Sequence, residues 1–382
     1  MSRILLFGGF VQALSAAASL KQCGHSVLVA AEKDAVAQKA KYIEKYIEFD
    51  KSSAESIGQR LIELCLQESI DVVVPMEDGY AAFLSRYKKQ IEKETTAKCA
   101  IANRDSYDLV SDKAALLAFC KQHNIGHPRT EPIDNNYEWL AESVGFPALI
   151  KPNHSEGSKG IVLVNNLEEL KEKAPEVVVE YGECTLQEYI QNDHYYNLML
   201  FRSSAGVFSN HVILKILRYY PIKGGSSCLA VSVENEPMVE MCKRLLNALN
   251  WVGMADFDIL EKGEGDFRII EINPRVPASL RGAEMSGVNF PEIIVSDLVK
   301  GKIPRYEYKT GKYLRFWGLD IAWFLSSPNR FKCNPSWFKF FGKELFYEDG
   351  GWRDRSAMIT YIWSGIKKQM SPKFRKSKAG LN

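Results

Sequence analysis

The sequence predicts an α/β protein whose N-terminal part is a doubly wound parallel sheet, followed by an α+β region and an aromatic-rich C-terminal extension. Three observations carry this reading. Short β-branched runs alternate with helix-length runs through the first hundred residues. Shorter strand-like and helix-like segments then follow in mixed order, ending in a hairpin-like pair around residues 255–273. Past residue 310 the composition shifts, with five of the seven tryptophans at 317, 323, 337, 352 and 363.

The elements follow in order. Ile4–Phe7 reads as a strand, Gly8-Gly9 as a turn, and Val11–Gln22 as a helix. GGFVQA lacks the GxGxxG spacing of a dinucleotide loop, so the glycines read as a turn into a helix. Ser26–Ala30 is a second strand, and helical periodicity returns at Ile57–Cys65. Asp71–Pro75 (DVVVP) reads as a buried parallel strand. Ligand sites in such sheets collect at the strand C-termini, which places Glu77, Asp78 and Gly79 at a candidate edge. Ser111 or Asp112 can cap a helix running to Gln122. Strand Ala148–Lys151, a polar loop, strand Ile161–Val164, helix Leu167–Lys173 and strand Val177–Glu180 come next. Helices at 236–249 and 290–300 flank the hairpin-like pair.

Composition narrows the class. A chain of 382 residues with 46% hydrophobic and 25% charged residues buries a real core in two or three domains. The formal charge of +2 implies no general attraction to nucleic acid. Eight cysteines without a CxxC pair fit a reducing compartment, read as cytoplasmic. The first apolar run is too short for a signal peptide, and no apolar stretch is long enough for a spanning helix. Six Lys/Arg and no acids lie between Lys367 and Lys378. That end reads as a solvated tail, with peripheral contact to an anionic membrane as the minor alternative.

The strongest chemical pattern is ADFDIL (255–260), a Gly-containing turn at 262–266, then FRIIEINPR (267–275). In an antiparallel pair, Asp256 and Asp258 share a face, as do Glu271, Asn273 and Arg275. A register that sets Asp258 opposite Glu271 also sets Asp256 opposite Asn273, with opposed side chains about 5 Å apart. Two such carboxylates repel unless a cation lies between them, and hard oxygen donors suit Mg²⁺. A surface hairpin with solvated acids is the competing reading, weakened because Glu271 lies among isoleucines. In a second pattern, Lys151-Pro152 precedes NHSEGSKG (153–160), a loop able to offer N–H groups and a lysine charge to phosphate. LQEYI (186–190) could present backbone groups to an adenine edge. The six histidines show no metal spacing, and His154 reads as a solvated bystander.

In order and spacing these pieces resemble the ATP-grasp superfamily, most closely its carbamoyl-phosphate-synthase-like carboxylate–amine ligases. The resemblance runs to about residue 305. It implies an N-terminal pre-ATP-grasp domain (1–110), a linker helix and small lobe (111–187), a large lobe with the metal site (188–305) and an extension (306–382). Lys113 and Lys151 are similar to the family's two phosphate-contacting lysines. Gly157, Ser158, Lys159 and Gly160 resemble its flexible phosphate loop. Gln187, Glu188, Tyr189 and Ile190 match the hinge that holds adenine. Asp258, Glu271 and Asn273 fall on metal positions, with Asp256 a rival for the first. Arg275 falls on the arginine that steadies phosphate, and Ser279 and Arg281 are candidates to grip a carboxylate. Lys215, Arg218 and the segment 223–227 are further phosphate or substrate candidates.

The implied cofactors are ATP and Mg²⁺, with Mn²⁺ as a substitute. The implied partners are a small carboxylate and an amine, with no nucleic acid, and a homodimer is the common assembly. The implied function is ATP-dependent ligation through an acyl-phosphate. A non-catalytic ATP-binding sensor is the alternative.

Overall fold

The computed structural model describes residues 1–50, 57–154, 160–191, 194–222 and 225–348, with isolated positions between 354 and 363. Gly157, Ser158, Lys159, Lys223, Gly224, Trp352 and the basic end lie outside the described residues.

Five parallel strands, β1 (Arg3–Phe7), β2 (Ser26–Ala31), β3 (Lys45–Glu48), β4 (Val72–Pro75) and β5 (Lys98–Cys99), form the first sheet in the order β3-β2-β1-β4-β5. Ile4–Phe7 and Val27–Ala30 are wholly buried, as continuous apolar runs require when helices cover both faces. Winding reverses between β1 and β4, so Gly8-Gly9 and Met76–Asp78 meet at one crevice. The Gly9 N–H donates to Glu77 Oε1 at 2.9 Å. Gly8 has φ +114°, and a Cβ there would lie 3.0 Å from Glu77 Oε1, so this crossing requires glycine.

Helix Val11–Gln22 is almost entirely buried, and its small residues Ala13, Ala16 and Ala17 allow close approach of helices Leu280–Met285 and Phe290–Lys300. Ser19 Oγ donates to Asn289 Oδ1 at 2.6 Å, and His25 Nε2 meets Glu292 Oε2 at 2.9 Å. One apolar core therefore runs from Ile4 to Phe316, joining the N-terminal sheet to the large lobe.

The small lobe is an antiparallel sheet of β6 (Thr130–Pro132), β7 (Ala148–Pro152), β8 (Val162–Val164) and β9 (Cys184–Glu188), ordered β6-β9-β7-β8. Its separate core includes Leu140, Val144, Ile150, Leu170, Ala174 and Leu186. The strand expected at Val177–Glu180 is absent, because helix Leu167–Tyr181 continues through it. Leu170, Ala174 and Val177 are all buried at helical spacing, and that packing overrides the β-branched run. Cys184–Glu188 takes the strand position instead.

The large lobe is a seven-stranded sheet: β10 (Tyr195–Arg202), β11 (Phe208–Tyr220), β12 (Ser226–Val233), β13 (Gly253–Glu261), β14 (Phe267–Asn273), β15 (Tyr313–Arg315) and β16 (Leu345–Tyr347). Their order is β14-β13-β10-β11-β12-β15-β16. The sheet does not stop at residue 305, since β15 and β16 come from the aromatic extension. Arg315 and Arg218 enclose Asp320, which is fully buried, at 2.5 and 2.9 Å. Trp317, Trp337 and Phe340 surround the Arg315 guanidinium. Arg218, a phosphate or substrate candidate by sequence, is thus engaged as a clamp for the extension, bonded to Asp320 and the Pro335 carbonyl. Aromatic packing dominates this segment as far as Tyr347.

Candidate active site

Alternation along β13 divides its side chains between two environments. Ala255, Phe257 and Ile259 enter an apolar core built on helix Glu236–Ala248, while Asp256 and Asp258 take the opposite face. β14 carries an irregularity where the register passes from Asp258 opposite Glu271 to Ile259 opposite Ile269. The inserted residue lets both Ile269 and Ile272 reach that core while Glu271 and Asn273 face the acids. Asp256 stands opposite Asn273, as the expected register requires. Asn197 of β10 is opposite Asp258, so Asn197, Asp258 and Glu271 form a row across three strands.

The two aspartates differ in access. Asp256 is 2% exposed and accepts from Asn197 Nδ2 at 2.6 Å and Asn273 Nδ2 at 3.3 Å. Asp258 is half-buried, beside Glu271. Burial and the neighbouring Glu271 charge push Asp258 up to about 6. Burial, then the Asp258 charge, drives Asp256 well above the usual carboxylate range. Asn273 turns its amide nitrogen toward both aspartates, and its oxygen accepts from Arg275 Nη2 at 3.4 Å. Holding a cation through Asn273 therefore requires the amide to reverse. Among the described residues no group of three or more His, Cys, Asp or Glu side chains could hold a metal ion; the candidate donors are two acids and an amide.

Cationic side chains converge on the same acids. Asp112 caps helix Lys113–Gln122 by accepting from Ala115 N–H at 3.0 Å, which fixes Lys113 in the first turn. Lys113 Nζ lies 3.6 Å from Glu271 Oε1. Lys151, at the end of β7, is lowered to about 8 by burial, with the Lys113 charge adding to the effect. Arg275 is held by Asp78 of the N-terminal domain through two hydrogen bonds, at 2.8 and 3.0 Å. One cluster thus collects groups from the N-terminal domain, the small lobe and the large lobe.

Residues 110–279 match the ATP-grasp domain family. An ATP-grasp domain accounts for that segment. The chain is 21% identical over 224 residues to the carbamoyl-phosphate synthase of Methanobrevibacter smithii, a match spanning 56% of this chain and 59% of that one. The biotin carboxylase domain of Hydrogenobacter thermophilus 2-oxoglutarate carboxylase, solved with MgADP, ADP and bicarbonate, superposes with TM-score 0.68 at 15% identity. That superposition covers 82% of this chain and 73% of the other. An N5-carboxyaminoimidazole ribonucleotide synthetase solved with ADP gives TM-score 0.66 at 16% identity, covering 96% and 98%. At these identities the solved structures establish the fold.

The residues expected to form a hinge, 187–190, have partners that the sequence did not reveal. Gln187 is 2% exposed; its Oε1 accepts from Lys151 Nζ at 2.5 Å and its Nε2 donates to Thr130 Oγ1 at 3.2 Å. It therefore positions Lys151. Glu188 pairs with Lys262 and Arg129, which overcome the effect of burial and hold it at about 2. The N–H groups of Glu188 and Tyr189 donate to the Arg129 and Pro147 carbonyls, so neither is directed at an open adenine edge. Ile190 is buried. Gly160 has φ +72°, and a Cβ there would lie 2.9 Å from Pro152 and Tyr181, so its glycine is explained by the turn into β8.

Arg281 is 8% exposed and pairs with Glu284 at 2.7 Å. The guanidinium expected to grip a carboxylate is thus held in a buried ion pair. Ser279 Oγ donates to Asn197 Oδ1 at 2.9 Å, supporting the acid cluster. His154 is exposed, 3.6 Å from Asp112. Lys215 lies over the Tyr196 ring at 5.7 Å. Sequence reasoning missed Asn197, although a lone amide inside the otherwise aromatic and apolar run Tyr195–Phe201 was a readable signal.

Proposed function

We propose that the chain is an ATP-dependent ligase that activates a small carboxylate as an acyl-phosphate and transfers it to an amine or similar nucleophile. The supporting observation is the convergence of Lys113, Lys151 and Arg275 on the opposed pair Asp258 and Glu271. The pair fits a hard divalent cation: two half-buried carboxylates face each other across neighbouring strands, and Asp258 resists ionisation beside Glu271. Asp258 is the better ligand than Asp256, which is enclosed by two amides. Mg²⁺, or Mn²⁺, bound there supplies charge neutralisation on phosphate oxygens.

The chain's own residues do the remaining work. A substrate carboxylate oxygen forms a bond to the γ-phosphorus of ATP as the bond to the β-phosphate oxygen breaks, releasing ADP. The amine nitrogen then attacks the acyl carbon, inorganic phosphate leaves, and the amine proton passes to solvent. Lys113 and Lys151 bind and orient the phosphates by charge. Arg275, fixed by Asp78, steadies the transferring group from the N-terminal side. Gln187 sets the position of Lys151, and Ser279 with Asn197 sets the acids. No enzyme nucleophile is required.

ADP release with ATP and Mg²⁺ against pooled amino acids and small carboxylates tests the proposal. Substrate-stimulated release in the wild type that disappears in Glu271→Gln is expected. ATP binding without stimulation by any pool, and a variant indistinguishable from wild type, would overturn it in favour of an ATP-binding sensor.

A further inference from the structure

We propose that the outer face of the C-terminal extension is a docking surface for an anionic lipid bilayer, on which the protein lies without crossing it. This inference is independent of the ligase reading. Leu325, Phe331, Phe338 and Phe341 are 70, 71, 56 and 84% exposed. These side chains include a connected patch. Phe331 and Phe338 stack with centroids 6.4 Å apart, and Phe324 meets them at 5.5 and 5.8 Å. Arg330 lies over the Phe331 and Phe324 rings and donates to the Leu325 carbonyl at 3.4 Å. Phe341 follows Phe340, whose ring meets Phe338 at 6.5 Å. Contiguous exposed apolar surface of this kind marks an interaction site.

The patch is held in place from behind. Arg315 bonds Asp320 and the carbonyls of Trp337 and Lys339, while Arg218 reaches Asp320 and the Pro335 carbonyl. These contacts tie both sides of the patch to the large sheet, so the aromatics stand outward on a fixed platform.

Charge selects the occupant. Between Ile321 and Lys343 the sequence has Arg330, Lys332, Lys339 and Lys343 and no Asp or Glu. Lys332, Lys339 and Lys343 are exposed, interleaved with the outward rings. The same sign recurs farther along the sequence, in the six Lys/Arg from Lys367 to Lys378. Aromatic rings settle at the boundary between headgroups and acyl chains, and Lys and Arg stems extend from there to anionic headgroups. Among the described residues no helix is long and apolar enough to cross a membrane, so contact at the surface is the mode that fits.

Sedimentation of the purified full chain with phosphatidylcholine vesicles, with and without one quarter phosphatidylglycerol, tests this. Binding to the anionic vesicles, weakened by salt and reduced roughly tenfold or more in the F331S/F338S/F341S variant, is expected. K332E/K339E/K343E should weaken it comparably, which keeps the test decisive should the first variant misfold. Equal binding to neutral vesicles, no binding, or anionic binding unchanged in both variants overturns the proposal; the last result would assign binding to the basic end. A solution dimer dispersed by the Phe substitutions, without vesicle binding, overturns it in favour of a second copy of this chain.

Discussion

The Arg275 guanidinium grips the Asp78 carboxylate side-on, Nε to Oδ1 at 2.8 Å and Nη2 to Oδ2 at 3.0 Å, although 197 positions separate them in sequence. Asp78 begins the helix after β4, at the carboxyl edge of the N-terminal sheet, and Arg275 follows β14 of the large lobe. A bidentate pair fixes both the position and the plane of the guanidinium. The N-terminal domain thereby becomes part of the candidate phosphate site.

Asp78→Asn preserves the shape and removes the charge. Asp78 is a third exposed, so the stability loss should be about 1 kcal/mol after solvent screening. ADP release should fall roughly tenfold as Arg275 loses its fixed plane, and Arg275→Lys should reduce it roughly a hundredfold. Melting temperature and ADP release measured on both variants check this; unchanged turnover in Asp78→Asn would show that the pair serves structure alone.

Lys151 sets a pH limit. Its folded pKa of about 8 lies below the roughly 10.4 of an unfolded lysine, so the free enzyme loses this charge as pH rises through 8. For ATP, kcat/KM should decline above pH 8, because this parameter follows groups of the free enzyme. Lys151→Arg should retain its charge and flatten that limb, whatever its absolute rate. For folding, a base with a depressed pKa destabilises the native state while charged. This contribution should therefore ease between about pH 8 and 10.4. Kinetic profiles from pH 7 to 9.5 distinguish the two enzymes.

Asn197 bridges Asp256 and Asp258 through Nδ2 and accepts from Ser279. Asn197→Ala leaves the buried Asp256 short of a donor and should cost about 1–3 kcal/mol. The Mg²⁺ concentration giving half-maximal ADP release should rise roughly tenfold, since groups orienting metal ligands typically carry this much. A magnesium titration beside a urea melt checks both effects. Unaltered magnesium dependence would assign Asn197 to folding alone.

Asp320 is enclosed by Arg218 and Arg315 with essentially no exposure. Asp320→Ala strands two buried guanidinium groups and should destabilise by about 3–5 kcal/mol. Because Arg315 also holds the Trp337 and Lys339 carbonyls, limited proteolysis should open the segment 326–343 in the variant first. Cleavage at the same rate as in wild type would show that aromatic packing suffices.

Local patterns determined a large part of this protein. Apolar runs and glycine turns were sufficient to identify the N-terminal parallel sheet, because a strand buried on both faces has to be apolar throughout. Alternation in the 255–273 hairpin was enough to put Asp256 with Asp258, and Glu271 with Asn273, on one face of each strand. The supposed Asp258–Glu271 and Asp256–Asn273 register is the one observed, whereas the irregularity that brings Ile269 and Ile272 to the same core was not legible. Val177–Glu180 misled, since β-branched propensity is weaker than the burial of a helix face shared with Leu170 and Ala174. Contacts between distant segments were decided only by the tertiary structure: Arg275 on Asp78, Gln187 turned inward to Lys151, and Arg218 turned away to Asp320. Each is a long polar side chain whose direction depends on which opposite charge or amide the fold brings near. A buried guanidinium or ammonium needs such a partner, and sequence spacing does not contain its identity.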